Sequence, residues 1–287
     1  MTDRPLPPRM ACPTRPAPAA LAASLGLGIG DRGVAVWPHP NDEAWAAAWT
    51  LRGLCDAGVR LRLVFATDGE AASGSDADAA TQGLLRAARR AEAEAAAASL
   101  GCEEVVFLDR GDGHLAVDLG LADALASALP GGNSDRPANA VLSFGDDGGY
   151  PHRDHVALTA ALTHALAALG PLPWWQTSYA PGLFAPLLHA LRRHDARGRT
   201  PPLLDAAWPL ARVGAPAKAG DVWVRADGES ARTFKAQAIA CHTSQLPGGD
   251  PLRLLGPGVV EALMAHGERW RRAPPPGGEG AKSLERL

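Results

Sequence analysis

The chain has 287 residues, of which 46% are hydrophobic, and its formal net charge is −3 at pH 7. This length and apolar content are enough to bury one large core, so we expect one α/β domain in preference to two small ones. The weak charge, without blocks of like sign, argues against a nucleic-acid surface. No run of about 18 apolar residues is present, which argues against a membrane span.

The domain organisation follows from composition. Residues 1–28 are rich in proline and predict a flexible N-terminal arm, residues 29–272 predict a single domain, and residues 273–287 predict a loose tail. The cysteines are scattered and include no C-x-x-C pair, a pattern typical of a reducing compartment. We therefore expect a cytoplasmic protein.

Strand-like and helix-like segments alternate along the chain. Strands are predicted at 35–37, 61–66, 104–108 and 140–144, helices at 43–54, 81–100, 119–129, 156–169, 231–241 and 259–272, and short extended pieces at 174–178 and 222–224. This order predicts a Rossmann-like three-layer α/β fold, with right-handed crossovers and helices on both faces of a mostly parallel sheet. Residues 28–33 match G-x-G-x-x-G, but they precede a strand instead of following one, so we interpret them as a loop.

The first predicted strand ends in a group of polar side chains. Residues 39–43 read His-Pro-Asn-Asp-Glu, and Pro38 and Pro40 prevent a strand from continuing there. We expect His39 and Asp42 to project into the crevice above the carboxyl ends of the strands. A histidine and a carboxylate three residues apart at such a place suggest two ligands of one metal.

A second polar loop lies more than a hundred residues further on. Residues 147–155 read Asp-Gly-Gly-Tyr-Pro-His-Arg-Asp-His and follow the strand at 140–144. Two neighbouring parallel strands would bring this loop next to residues 39–43. Gly148 and Gly149 permit a close approach of the backbone to a substrate.

The two loops resemble those of the N-acetylglucosaminylphosphatidylinositol deacetylase (PIG-L, LmbE-like) family. Members carry a His-Pro-Asp-Asp-Glu loop and a later Gly-Gly-x-x-His-x-Asp-His loop. The resemblance covers residues 33–170 well and the remainder loosely, including an Arg-x-x-Glu pattern at 89–92 and a His-x-Ser-Gln element at 242–245. It implies a zinc-dependent N-deacetylase that acts on a small N-acylated amino sugar or glycoconjugate.

The resemblance also implies roles for individual residues. It makes His39, Asp42 and His155 the zinc ligands, a set that leaves a fourth position open as in hydrolytic zinc sites. His152 would stabilise the oxyanion and protonate the leaving amine. Asp154 would either orient the ring of His152 or cap the helix that follows.

Asn41 departs from the family pattern. The family has an aspartate there, the general base that takes a proton from the attacking water. An amide oxygen can orient that water but is not basic at neutral pH, and losing a general base typically lowers the rate by a factor of about 10²–10⁴. Metal binding should survive.

Asn41 leaves several interpretations open. The chain is an inactivated variant, a natural pseudoenzyme that binds a glycan or amide, or an enzyme with another base. The alternative bases are His152, Asp68, Asp112 and Asp147. A zinc amidase with a non-sugar substrate is a further alternative.

The remaining candidates concern substrate binding and support of the site. The substrate-binding candidates are Asp147, Gly148, Gly149, Arg89 and Asp112. Arg89 is either a substrate contact or one half of an i, i+3 pair with Glu92, and the pair is the simpler interpretation. Glu43 either supports the metal site or is favoured by the helix dipole alone. His242 is a candidate for the pocket, and a homo-oligomer stays open.

Overall fold

Seven strands form one sheet in the computed structural model, which describes residues 16–73, 78–129, 137–150, 152–183, 214–225, 229–246 and 259–274. The strands are β1 (Arg32–Trp37), β2 (Arg60–Thr67), β3 (Glu104–Arg110), β4 (Ala140–Phe144), β5 (Trp174–Thr177), β6 (Val222–Val224) and β7 (Glu268–Arg272). Their order is β3-β2-β1-β4-β5-β7-β6. Strands β1 to β5 pair in parallel, whereas β7 is antiparallel to both β5 and β6. The predicted mostly parallel sheet is confirmed.

Helices cover both faces of the sheet. They are α1 (Pro18–Ser24), α2 (Asp42–Asp56), α3 (Ala79–Leu100), α4 (Leu121–Ala128), α5 (Arg153–Leu169), α6 (Glu229–Ala240) and α7 (Val259–His266). One apolar core lies between the sheet and α1, α2, α3, α6 and α7, and a second lies between the sheet and α4 and α5. In β1, Ala35 and Trp37 face the first core while Val34 and Val36 face the second, as the period of two dictates. None of the helices described here combines the length and apolarity that a membrane span needs.

Two expectations from the sequence need correction. The single helix predicted at 259–272 is wrong, because Gly267 adopts φ +83° and separates α7 from the strand β7. The N-terminal arm predicted for residues 1–28 is too long, since α1 buries Leu21 and Leu25 against the first core. Residues 1–15 and 275–287 lie outside the described residues.

The strand order places the two polar loops side by side. From β1 the chain moves through β2 to β3 on one side of the sheet, and it then returns to add β4 and β5 on the other side. Strands β1 and β4 are therefore neighbours at a topological switch point, where the loops after them diverge and leave a crevice. Residues 39–42 and 145–150 and His152 border that crevice.

A buried ion pair joins α6 and β7 to the middle of α2. Lys235 Nζ lies 2.8 Å from Oε1 of Glu268, and both side chains are almost fully buried. The same carboxylate accepts hydrogen bonds from the backbone N–H groups of Trp49 and Thr50 and from the Thr50 hydroxyl. Removing one member of such a pair leaves an uncompensated buried charge.

We expect Lys235→Met to lower the free energy of unfolding by about 3–5 kcal/mol, because it leaves the buried Glu268 carboxylate without its cation. The measurement is urea unfolding of the metal-free protein. Arg60→Met is the matched control, since Arg60 pairs with Glu103 at the surface with both side chains about half exposed; it should change the free energy by less than about 1 kcal/mol. Equal effects of the two substitutions would contradict this interpretation of the buried pair.

Candidate metal centre

Asp42 lies between two imidazole rings at the crevice. Its Oδ2 is 3.4 Å from Nδ1 of His39 and 3.4 Å from Nε2 of His155. Asp42 is the second residue after Pro40 and begins α2, whereas His155 lies in the first turn of α5. The structure thus brings the three predicted ligands together, and all three are buried.

The tautomer of His155 suits a metal ligand. Its Nδ1 is 2.8 Å from the carbonyl oxygen of Gly148, which can only accept, so Nδ1 carries the proton. The lone pair is then on Nε2, which is buried and has no hydrogen-bond partner among the described residues. Burial lowers the pKa of His155, so the ring is neutral. A buried lone pair beside a carboxylate is what a divalent cation requires, and the donor set therefore fits zinc.

His39 is surrounded by three carboxylates. Its Nε2 is 3.1 Å from Oδ1 of Asp112 and 3.3 Å from Oδ2 of Asp154, while Nδ1 faces Asp42. Burial alone would lower the pKa of His39, but Asp112, Asp154 and Asp42 together raise it well above its usual value. Without a metal the ring is therefore an imidazolium. With Nε2–H donating to the carboxylates, Nδ1 is the nitrogen available to a metal.

His152 lies at the edge of the same group. Its ring centroid is 4.7 Å from those of both His39 and His155, and ligand nitrogens of the three histidines lie within 4.8 Å of one another. Nδ1 accepts the backbone N–H of Asp154 at 3.2 Å, so the proton of the neutral ring is on Nε2. Burial and the two neighbouring histidines lower its pKa far below the usual value. The ring is therefore arranged as a hydrogen-bond donor more than as a base.

The carboxylate of Asp154 supports His39 instead of His152. Besides His39 it accepts the backbone N–H groups of Gly113 at 2.7 Å and Leu115 at 3.1 Å. The cap of α5 is the His152 side chain, so the alternative role of Asp154 as the cap is not what the structure shows. Asp154 thus ties the loop after β3 to the metal centre.

The glycine pair serves packing within the loop after β4. Gly148 has φ +65°, and a Cβ there would lie 2.7 Å from Cβ of His155. Gly149 has φ +76°, and a Cβ there would lie 2.8 Å from the Phe144 ring. Asp147 accepts the N–H groups of Gly149 and of Gly214, at 3.0 and 3.1 Å. Substrate contacts by these three residues stay predictions.

Asn41 is held in an unusual conformation. It adopts φ +98°, its backbone N–H donates to Oε2 of Glu43 at 2.8 Å, and its Nδ2 donates to Oε1 of Gln245 at 3.2 Å. Its Oδ1 is buried and has no partner in the part of the chain described. Glu43 in turn lies 2.6 Å from Nε2 of His242, with both side chains fully buried. Glu43 thus supports the loop through its contact with His242 and not only through the helix dipole.

Arg89 and Glu92 contact other elements instead of each other. Arg89 donates to the carbonyl oxygens of Pro40, at 3.0 Å, and Gly69. Glu92 accepts hydrogen bonds from Thr243 and Ser244. The Arg89–Glu92 pair favoured by their spacing is not present among the described contacts. Buried beneath the loop, Arg89 stays only a predicted substrate contact.

Two of the alternative bases are engaged elsewhere. Asp68 is bound by Arg90 at 2.6 Å and Arg86 at 3.2 Å, and both oxygens of Asp147 accept backbone N–H groups. Asp112 borders the site: one oxygen faces His39, and the other accepts the N–H of Ala71 at 2.9 Å. Of the four alternatives, Asp112 and His152 adjoin the metal centre.

The sequence-based reasoning missed Tyr150 as part of the site. Its ring packs edge-on against that of His155, with centroids 4.6 Å apart. Burial raises the pKa of Tyr150 well above its usual value, so the phenol is neutral. The sequence signal for this role is the position of an aromatic residue between the glycine pair and the two histidines of the same loop.

This sheet, with two imidazoles and a carboxylate at its switch point, defines a Rossmann-like α/β protein with a group of side chains that could hold a metal ion. The chain belongs to the GlcNAc-PI de-N-acetylase (PIG-L) family, whose model matches residues 34–166. Both the resemblance of the two loops and the predicted fold are thereby confirmed.

Relatives with named activities support the family assignment. The chain is 32% identical over 260 residues to the 1D-myo-inositol 2-acetamido-2-deoxy-alpha-D-glucopyranoside deacetylase of Nakamurella multipartita, covering 80% of this chain and 82% of the relative. It is 28% identical to the protein of the same name in Kineococcus radiotolerans, covering 80% and 73%. The structure of N,N'-diacetylchitobiose deacetylase from Pyrococcus horikoshii superposes with a TM-score of 0.56 at 21% identity, covering 88% and 90%, and it shows the shared fold.

We expect Zn²⁺ binding to the metal-free protein at pH 7 to release about one proton, because a ligating imidazole must give up a proton that the raised pKa of His39 retains. Isothermal titration calorimetry in two buffers with different ionisation enthalpies measures the number of protons. His39→Asn is the control and should release none. A wild-type value near zero would mean that His39 is already neutral without metal.

Proposed function

We propose that this chain is a zinc-dependent amide hydrolase that removes the acetyl group from a 2-acetamido sugar in a small glycoconjugate. The observation that carries the proposal is the buried Nε2 of His155, which has no hydrogen-bond partner within the described ranges and lies beside the Asp42 carboxylate at the switch point of the sheet. The names of the relatives support the substrate class, since both curated relatives are deacetylases of a 2-acetamido sugar linked to inositol.

His39, Asp42 and His155 would hold the cation. When bound, zinc supplies a water of pKa about 7 in place of 15.7 and polarises the amide carbonyl. Asp154 keeps the His39 ring oriented by accepting from Nε2, with the Asp112 carboxylate 3.1 Å from the same nitrogen, and the Gly148 carbonyl accepts from Nδ1 of His155. Such partners fix the ring geometry and raise the basicity of the ligands.

His152 is the proposed donor to the oxyanion, whereas the second role implied by the resemblance, protonation of the leaving amine, does not suit a neutral ring, because its remaining N–H is too weak an acid. Its Nδ1 is occupied by the N–H of Asp154, which leaves Nε2–H for the developing negative charge. The strongly lowered pKa of this ring keeps it neutral, so it donates a hydrogen bond without repelling the nearby imidazoles. The reaction consumes one water, which supplies the oxygen of the acetate and the proton that the leaving amine gains, so acetate and the free amino sugar are the products.

Asn41 is proposed to orient the attacking water through its unpartnered Oδ1. An amide oxygen accepts a hydrogen bond but does not take the proton. Of the carboxylates proposed as alternative bases, Asp112 is the one that adjoins the site, although its Oδ1 already faces His39. We therefore propose a hydrolase with slow turnover. The alternative is a zinc-containing glycan-binding protein, which the lack of a base at Asn41 favours.

The free thiols of Cys55, Cys102 and Cys241 support a cytoplasmic location.

We expect Asn41→Asp to raise kcat for deacetylation by a factor of about 10²–10⁴, because it restores a general base at that position. The assay follows amine release from an α-glycoside of N-acetylglucosamine, with and without a chelator. Asn41→Ser is the control, since it keeps a small polar side chain but adds no base.

The outcomes separate the candidate functions. A large gain on the acetamido sugar that is lost with the chelator supports the hydrolase. No gain on any of a panel of acylated amines, together with binding of the intact sugar, would establish the binding protein instead. A gain confined to non-sugar amides would establish an amidase of different substrate class.

A further inference from the structure

Two sequence elements have no part in the proposed chemistry, yet both contact the metal-binding loop. They are the Arg-x-x-Glu pattern on α3 and the turn at 242–245 that follows α6. These elements lie about 50 and 200 residues from Pro40 in the chain, as the separations of 49 and 205 residues for their contacts show. Contacts of such sequence separation form only in the folded protein.

The carbonyl oxygen of Pro40 receives a hydrogen bond from each element. Arg89 donates to it at 3.0 Å and Gln245 Nε2 donates at 3.1 Å. A carbonyl oxygen has two lone pairs, so its hydrogen-bonding capacity is used in full. The peptide between the metal ligand His39 and Asn41 is therefore fixed from two sides.

Gln245 also determines which way the amide of Asn41 faces. Because the Pro40 carbonyl only accepts, the NH₂ group of Gln245 faces Pro40, and its Oε1 is left to face residue 41. Oε1 only accepts, so it selects the Nδ2 end of Asn41. The Oδ1 end is thereby turned away from the turn, and it is buried without a hydrogen-bond partner among the residues that the structure describes.

A second connection fixes the backbone of the same residue. Asn41 has φ +98°, a region that side-chain-bearing residues rarely occupy. Its N–H is held by Glu43, and Glu43 is held by His242 of the turn. The surrounding structure must hold this conformation, and His242 is the outermost support.

The turn itself is anchored to α3. Glu92 accepts the Thr243 hydroxyl at 2.7 Å, and the N–H and hydroxyl of Ser244 at 2.7 and 2.6 Å. Glu92 is one helical turn beyond Arg89, so both face the same neighbourhood. One segment of α3 thus holds the loop directly through Arg89 and indirectly through the turn.

We propose that Arg89, Glu92, His242 and Gln245 form a loop clamp that preorganises residues 39–43 before metal binding and directs the Asn41 amide oxygen into the site. These are positioning residues, since they act through Pro40, Asn41 and Glu43. The kinetic consequence rests on the proposed hydrolase function, whereas the structural consequence does not.

The first measurement is hydrogen exchange by mass spectrometry on metal-free protein. Gln245→Met keeps the side-chain length and removes two hydrogen bonds, so exchange of a peptide spanning 38–45 should accelerate about tenfold. Glu92→Ala tests the clamp from a distance, because Glu92 touches the turn and not the loop; it should accelerate exchange of the same peptide.

The second measurement is metal affinity and kinetics in the same variants. We expect Co²⁺ affinity, followed by competition with a chelator, to fall about tenfold. With zinc-loaded protein, kcat should fall while KM stays within about twofold, the pattern of a defect confined to the chemical step. Gln245→Glu keeps the acceptor for Asn41 but loses the donor to Pro40. Exchange of the peptide spanning 38–45 should therefore stay faster in this variant than in the wild type.

Ser143→Ala is the matched control, because it removes a buried side-chain hydrogen bond from Trp174 without contacting the loop. The clamp would be overturned if the loop exchanged at the wild-type rate in both Gln245→Met and Glu92→Ala. It would also be overturned if the control accelerated exchange of the loop equally. If the wild type hydrolyses no acetamido sugar, the proposed function fails, while exchange and Co²⁺ affinity still decide on the clamp.

Discussion

The hydrogen bond from His155 Nδ1 to the carbonyl of Gly148 is the interaction on which the metal centre depends. This hydrogen bond fixes the proton of the neutral His155 ring on Nδ1, so the lone pair lies on Nε2, the nitrogen nearer Asp42. The bond is short because Gly148 brings its backbone against the histidine in a conformation with positive φ, where a side chain would collide with His155. The orientation of the His155 ring therefore depends on a backbone requirement seven residues earlier in the chain.

The carboxylates around His39 combine electrostatic and architectural roles. Asp154 and Asp112 accept backbone N–H groups from Gly113, Leu115 and Ala71, so each ties a separate loop to the same imidazole. A buried carboxylate is tolerated when its lone pairs are satisfied in this way. The loops after β2 and β3 are thus connected to the loop after β1 through one ring.

Much of the fold and the convergence of the proposed ligands could be predicted from the sequence, and the reasons for the failures are physical. His39, Asp42 and His155 lie at the ends of strands whose parallel pairing follows from short-range patterns, so their convergence could be anticipated. The partners of Glu43, Arg89 and Asp154 could not, because each lies far along the chain and no local periodicity encodes it. The sequence of β7 fits a helix as well as a strand, because Trp270 and its neighbours match either period, and Gly267 is the local signal that separates the two elements.

The family match spans residues 34–166 and includes every proposed metal ligand, yet His242, Gln245 and Glu268, which hold α2 and the loop before it, lie outside that span. The carboxyl-terminal part is therefore connected by hydrogen bonds to the loop that carries two of the proposed ligands. A chimera that takes this region from a relative in order to change selectivity would also change the geometry of that loop, so the two regions cannot be exchanged independently in this scaffold.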